Sequence, residues 1–116
     1  MWHTHYSTGE RLIDEDHANI DYLLDVCGRQ PAAWKDHAAT VIDAFTTHLD
    51  TEEHICETRR LNMTEEHRGE HIYLRAKLKE MHRQVTVGEL GKTLFVDFTR
   101  KMLLFHVSYF DRDLTR

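Results

Sequence analysis

Apolar residues recur every three or four positions through most of the chain, and the strict alternation of a half-buried strand is almost absent. The pattern predicts an all-α protein of four helices. Ser7 with Glu10 three residues on reads as a capping box, so the first helix is expected over about 8–28, stopping at Gly28. Pro31 suits the first turn of a second helix, whose stripe Ala38, Val41, Phe45, His48, Glu52 and Ile55 keeps one face to about residue 60. Asn62 with Glu65 marks a third helix over about 63–85, with His67, His71, Leu74, Leu78 and Met81 on one side. The segment TVGELG turns the chain, and a fourth helix runs from about 89 or 92 to 112, with Phe95, Phe98, Met102 and His106 at helical spacing. Short connections make neighbours antiparallel. The expected architecture is an up-down-up-down antiparallel four-helix bundle with an N-terminal arm of about residues 1–8.

Composition narrows the class. The 116 residues make one domain of a size that buries a core without disulfides. A hydrophobic share of 41% beside 30% charged residues is the balance of a soluble globular chain. The longest apolar runs, such as MLLF at 102–105, fall far short of the roughly 18–20 residues that span a bilayer, and the opening MWHTHYSTGE lacks a secretory pattern. A net charge of −5 without a basic stripe excludes a nucleic-acid partner. The reading is a cytoplasmic protein with neither membrane nor nucleic acid among its partners. Cys27 and Cys56 should lie about 25 Å apart along the bundle, too far for a disulfide, and so be reduced thiols.

The ten histidines change the picture most. His48 and Glu52 are four apart, as are His67 and His71, so each pair shares a helix face. Both pairs interrupt stripes that should point inward, where an unpaired polar group is costly. His17 interrupts the first stripe, of Leu12 or Ile13, Ile20 and Leu24, and His106 interrupts the fourth. Separate partners for five imidazoles and two carboxylates are hard to find in one small core. A metal cluster satisfies them together, and carboxylates able to bridge favour a pair of metals. His106 and Asp111 are five apart, about 140° of helix rotation, so they should straddle a site, helped by a local π-turn. Asp14, one turn before His17, is a candidate partner for a ligand, while Glu53 reads as solvated. His3 and His5 fall in the arm and His54 is off the inward face. His37 and His82, each eleven residues from an inward histidine, read as partly exposed groups toward one end of the bundle.

In combination and order these elements resemble the hemerythrin family, the non-haem di-iron oxygen-binding four-helix bundles. The opening WHTHYSTGERLIDEDH, with Trp2, Gly9, Ile13, Asp14 and His17, resembles the family's bacterial opening. HLDTEE supplies HxxxE, HRGEH supplies HxxxH and HVSYFD supplies HxxxxD. The resemblance implies that His67, His71 and His106 bind one iron, His17 and His48 the other, and Glu52 and Asp111 bridge two irons that share an oxo or hydroxo group. It also implies an oxygen pocket at Leu103, with Met102 where the family usually has Trp and Tyr109 one turn beyond His106. The stretch from His71 to His106 is longer than the family's by roughly ten residues.

The chain lacks the Glu-x-x-His pattern of carboxylate-rich di-iron bundles. Fewer anionic ligands suit reversible binding of dioxygen better than its activation. The expected function is oxygen storage, delivery or sensing by a protein that is not an enzyme, with dioxygen as its partner. The alternative is a di-iron redox enzyme handling peroxide, nitric oxide or iron. Because the chain ends at DRDLTR, just past the last ligand, it reads as a whole protein or as a sensor domain cut from a signalling protein.

Overall fold

The computed structural model of the chain describes residues 7–111 and Leu114, and no strand occurs among them. Helix α1 spans Arg11–Arg29, α2 spans Trp34–Thr58, α3 spans Glu65–Thr86 and α4 spans Lys92–Tyr109, with a 3-10 turn at Pro31–Ala33. Trp2, His3, His5 and most of the expected arm lie outside the described residues.

The helix ends shift from the sequence reading by a few residues, each for a local reason. Ser7 does not cap α1: its hydroxyl donates to Asp14 Oδ2, and the Glu10 side chain is the cap, accepting from the Leu12 N–H. Thr8 donates to Asp14 through both its N–H and its hydroxyl, each at 2.8 Å, and this turn displaces a helix start at residue 8. Pro31 opens the 3-10 turn, and α2 follows at Trp34. In α3 it is Thr64 that caps, accepting from the His67 N–H at 3.1 Å, so the helix begins two residues later than Asn62 implied. Glu65 and Glu66 then occupy the first turn, where the helix dipole favours negative charge.

Each helix turns its predicted stripe inward, with one exception. Of the two residues left open in α1, Ile13 is the buried one and Leu12 is not, and the departure from the predicted stripes is Phe98 of α4, 42% exposed beneath the Lys77 ammonium. The inward positions of α4 are Phe95, Thr99, Leu103 and His106, because Phe98 is three residues and so about 60° short of a full turn from Phe95. Residues from Ile20 to Val107 form the main apolar core, centred on Leu24, Phe45, Leu78 and Phe95. A second, smaller cluster joins Ile13, Ile55, Cys56, Met63 and Leu114. Glu10 pairs with Arg59, tying the start of α1 to the end of α2, and the Lys92 ammonium donates to the Gly28 carbonyl at 2.9 Å, tying α4 to the end of α1. Helix α1 packs closely along α2 and α4, and α2 along α3, whereas α3 and α4 stand further apart, with apolar grooves between them. No helix among the described residues is long and apolar enough to cross a membrane. Both cysteines are free and buried.

Two helices end in the same way. After α3, Gly88 has φ 80°, the Glu89 N–H bonds the Gln84 carbonyl at 2.8 Å and the Gly88 N–H bonds the Val85 carbonyl. After α2, the Leu61 N–H bonds the Cys56 carbonyl at 3.0 Å, but the left-handed position is held by Arg60, with φ 55°. This terminal motif requires a left-handed residue that only glycine adopts without strain. Arg60→Gly should therefore raise stability and Gly88→Ala lower it, each by about 1 kcal/mol. Urea denaturation of the two variants against wild type measures both signs.

Candidate metal centre

The five imidazoles and two carboxylates singled out in the sequence meet between the two apolar clusters. His17 comes from α1, His48 and Glu52 from α2, His67 and His71 from α3, and His106 from α4, with Asp111 just beyond that helix. None is more than 2% exposed. The i, i+4 spacing stacks His48 over Glu52 and His67 over His71, as helix geometry requires. Asp111 reaches the site differently from expectation. The Phe110 N–H still bonds the His106 carbonyl at 3.0 Å, so the helix makes no π-turn, and it ends at Tyr109. Phe110 then leaves helical geometry at φ −124°, ψ −60°, and the chain carries Asp111 inward.

The two carboxylates divide the histidines by oxygen atom. Glu52 Oε1 lies 2.7 Å from His67 Nε2, 2.9 Å from His71 Nε2 and 3.5 Å from His106 Nε2. Glu52 Oε2 instead faces His48 Nε2 at 3.1 Å. Asp111 repeats the division: Oδ1 lies 3.1 Å from His67 and 2.9 Å from His106, and Oδ2 lies 2.6 Å from His17 and 3.3 Å from His48. Two donor sets follow, Glu52, His67, His71, His106 and Asp111 in one and His17, His48, Glu52 and Asp111 in the other. Within each set the donor atoms lie within 4.8 Å of one another.

Close approach here is not hydrogen bonding throughout. Among the described residues, His106 Nε2 and Glu52 Oε2 are buried without a hydrogen-bond partner, although each has an oppositely charged neighbour within about 3 Å. An orphaned buried nitrogen and oxygen are costly in a core, and imidazole with carboxylate is a donor set for a transition-metal ion. The residues therefore fit a metal.

The same crowding sets the charges. Burial opposes ionisation of Glu52 and Asp111, but the surrounding imidazoles hold both carboxyls well below their usual range. Burial also works against a charged His106, yet the charge and close approach of Asp111, with Glu52 adding, push that imidazole up to about 9. Against the same burial, His67 is raised by Asp111 and Glu52, and His48 by Asp111, Asp16 and Glu52. His17 goes the other way, lowered because burial outweighs its contact with Asp111.

Two outer nitrogens meet carboxylates that the sequence reading did not assign, and a third faces one beyond hydrogen-bond reach. His71 Nδ1 lies 2.6 Å from Glu53 Oε2, His48 Nδ1 lies 3.2 Å from Asp16 Oδ2, and His106 Nδ1 lies 4.0 Å from Glu70 Oε1. Asp14, the expected partner, is engaged with Ser7 and Thr8 instead, and Glu53 is a partner where solvation was expected. The available signal was adjacency: each of the three carboxylates directly neighbours an inward ligand in sequence. Leu103 is fully buried in the main core, and Met102 borders a groove shared with Leu74 and Glu70. Tyr109 does not turn toward the cluster: it is 65% exposed and stacks on Phe105 with ring centres 4.5 Å apart. His54 and His82 are exposed, and His37 bonds Gln30 at 3.1 Å.

The charges dictate a pH response for chelator-treated protein. Carboxyls held low add stability that is lost on acidification, and the raised His106 adds stability that is complete below about pH 6.5 and lost as pH rises through about 9, with the raised His48 and His67 acting in the same direction. Melting temperature should thus fall on the alkaline side. With a divalent metal in excess the trend should reverse, because protons and metal compete for the same nitrogens. Thermal melts at pH 6 and 9, with and without metal, test both signs. Comparison of the chain with family models, with curated proteins and with solved structures gives no significant match.

Proposed function

We propose that this chain is an up-down-up-down bundle of hemerythrin type that holds two iron ions and binds dioxygen reversibly, for storage, delivery or sensing. In this reading His67, His71 and His106 hold one iron, and His17 and His48 hold the other. Glu52 and Asp111 bridge the pair, which shares an oxo or hydroxo group. The observation that carries it is the division of each carboxylate between the two histidine groups, one oxygen to each. A carboxylate that served a single ion would have no reason to present its second oxygen to a different set of imidazoles.

The unequal donor sets support oxygen binding. One has five protein donors and the other four, so an iron in the smaller set keeps more room for an external ligand. When bound, the iron pair supplies the two electrons that dioxygen takes up reversibly. The chain's own part is to hold the ions and exclude water. Apolar clusters lie on both sides of the ligands, and Leu103 fills the core one turn before His106. The ties at both ends of α1 support the alternating topology, and two free thiols suit the reducing cytoplasm.

Anaerobic loading with iron(II) should give two irons per chain. Glu52→Ala and Asp111→Ala should each lower the iron content below two, since each removes one of the two carboxylates that span both histidine groups. Admitting oxygen should produce a new visible spectrum that disappears when oxygen is removed. Immediate, irreversible oxidation with no oxygenated species on a stopped-flow timescale would instead favour a di-iron redox enzyme, and a protein that takes up a single iron would end the di-iron reading. Leu103→Ala should speed oxidation in air by admitting water beside the metals, followed as loss of the oxygenated spectrum.

A further inference from the structure

Asp16, Glu53 and Glu70 follow a rule. Asp16 immediately precedes the ligand His17 on α1 but contacts His48 on α2. Glu53 immediately follows Glu52 on α2 but contacts His71 on α3. Glu70 immediately precedes His71 on α3 and faces His106 on α4. A ligand points to the bundle axis, and its sequence neighbour is rotated by about 100°, toward the adjacent helix. The offsets alternate as before, after and before. That alternation is what antiparallel neighbours require, since reversing a helix reverses the sense in which its sequence turns. Each of the first three helices therefore places a carboxylate beside the histidine of the next, within hydrogen-bond reach for Asp16 and Glu53.

The three contacts are not equal. Glu53 is the closest, at 2.6 Å, and is itself pinned by Arg75 Nη1 at 2.7 Å, while Arg75 Nη2 donates to Asp50 at 2.7 Å. Asp16 stands at 3.2 Å from its histidine, and Glu70, at 4.0 Å, is beyond hydrogen-bond reach. An outer carboxylate fixes which ring nitrogen of a histidine carries the proton, orients the ring and makes the inner nitrogen a stronger donor.

We infer that Glu53, locked by Arg75, is the dominant positioning residue of the centre. It commits His71 to a protonated Nδ1 and an inward-facing donor Nε2. Asp16 does the same more weakly for His48, and Glu70 leaves His106 the least constrained of the three. The inference rests on the metal reading for its effect on iron but not for its effect on the imidazole.

The test compares Glu53→Ala, Asp16→Ala and Glu70→Ala with wild type in two measurements. In chelator-treated protein at alkaline pH, nitrogen-15 spectra of the imidazoles should show His71 protonated at Nδ1 in wild type and redistributed between its two nitrogens in Glu53→Ala. In iron(II)-loaded protein, transfer of iron to a competing chelator should quicken by about 10- to 100-fold in Glu53→Ala, by several-fold in Asp16→Ala and by less than about twofold in Glu70→Ala. Equal rates in all three variants, or an unchanged His71 tautomer in Glu53→Ala, would overturn the inference. A general loss of packing would lower the melting temperature of chelator-treated protein without altering the tautomer, and that result too would overturn it. Should wild type take up no iron while the tautomer result holds, the di-iron reading falls and the positioning role of Glu53 stands.

Discussion

Two ionised carboxylates in the middle of a small helical core are the constraint on which the rest of this structure turns. Glu52 and Asp111 are fully buried, and an isolated buried carboxylate costs far more than the marginal stability of a domain this size can bear. Their oxygens must be met from every side, and they are, by imidazoles from all four helices. The relative phase of the helices follows: each must present its histidine at the same level of the bundle. An apolar core of this size could tolerate a helix rotated by a fraction of a turn, since hydrophobic contact is non-directional. A cluster with donor atoms within 4.8 Å of one another cannot.

The placement of apolar groups is complementary to that constraint. The main core fills the bundle on one side of the ligands, and Ile13, Ile55, Met63 and Leu114 close the other. Shielding from water strengthens each charge–charge contact inside, which is why the carboxyls are held low and three of the imidazoles high. In the absence of metal, protons supply the positive charge that the carboxylates demand. Competition between proton and cation for one set of nitrogens links the fold's stability to its ligand chemistry.

The region between α3 and α4 contrasts with this order. The two helices diverge, Phe98 and Phe105 are about half exposed, and Lys77 lies over the Phe98 ring at 5.0 Å. An ammonium above an aromatic face covers apolar surface while keeping its own charge in water. The groove reaches Met102 and Leu74, one turn from His106 and His71 of the buried cluster. Access to the interior is thus more open on this side than along α1 and α2, where the helices pack closely.

The sequence by itself determined the number of helices, the inward faces of α2 and α3, and the seven residues that meet in the core. It could do so because helical spacing alone places His48 over Glu52 and His67 over His71. Helix starts were less legible: Glu10 caps α1 in place of Ser7 and Thr64 caps α3 in place of Asn62, and only the turn geometry decides which side-chain oxygen is in reach. Tertiary structure alone decided that Asp16 and Glu53, and not Asp14, stand behind histidines of the cluster. It likewise decided that Tyr109 faces solvent and that Asp111 arrives by the helix ending rather than widening. The reason is common to all three. Periodicity reports which face of a helix is inward, but the contacts of residues on its flanks depend on which neighbour lies beside it and in which direction that neighbour runs.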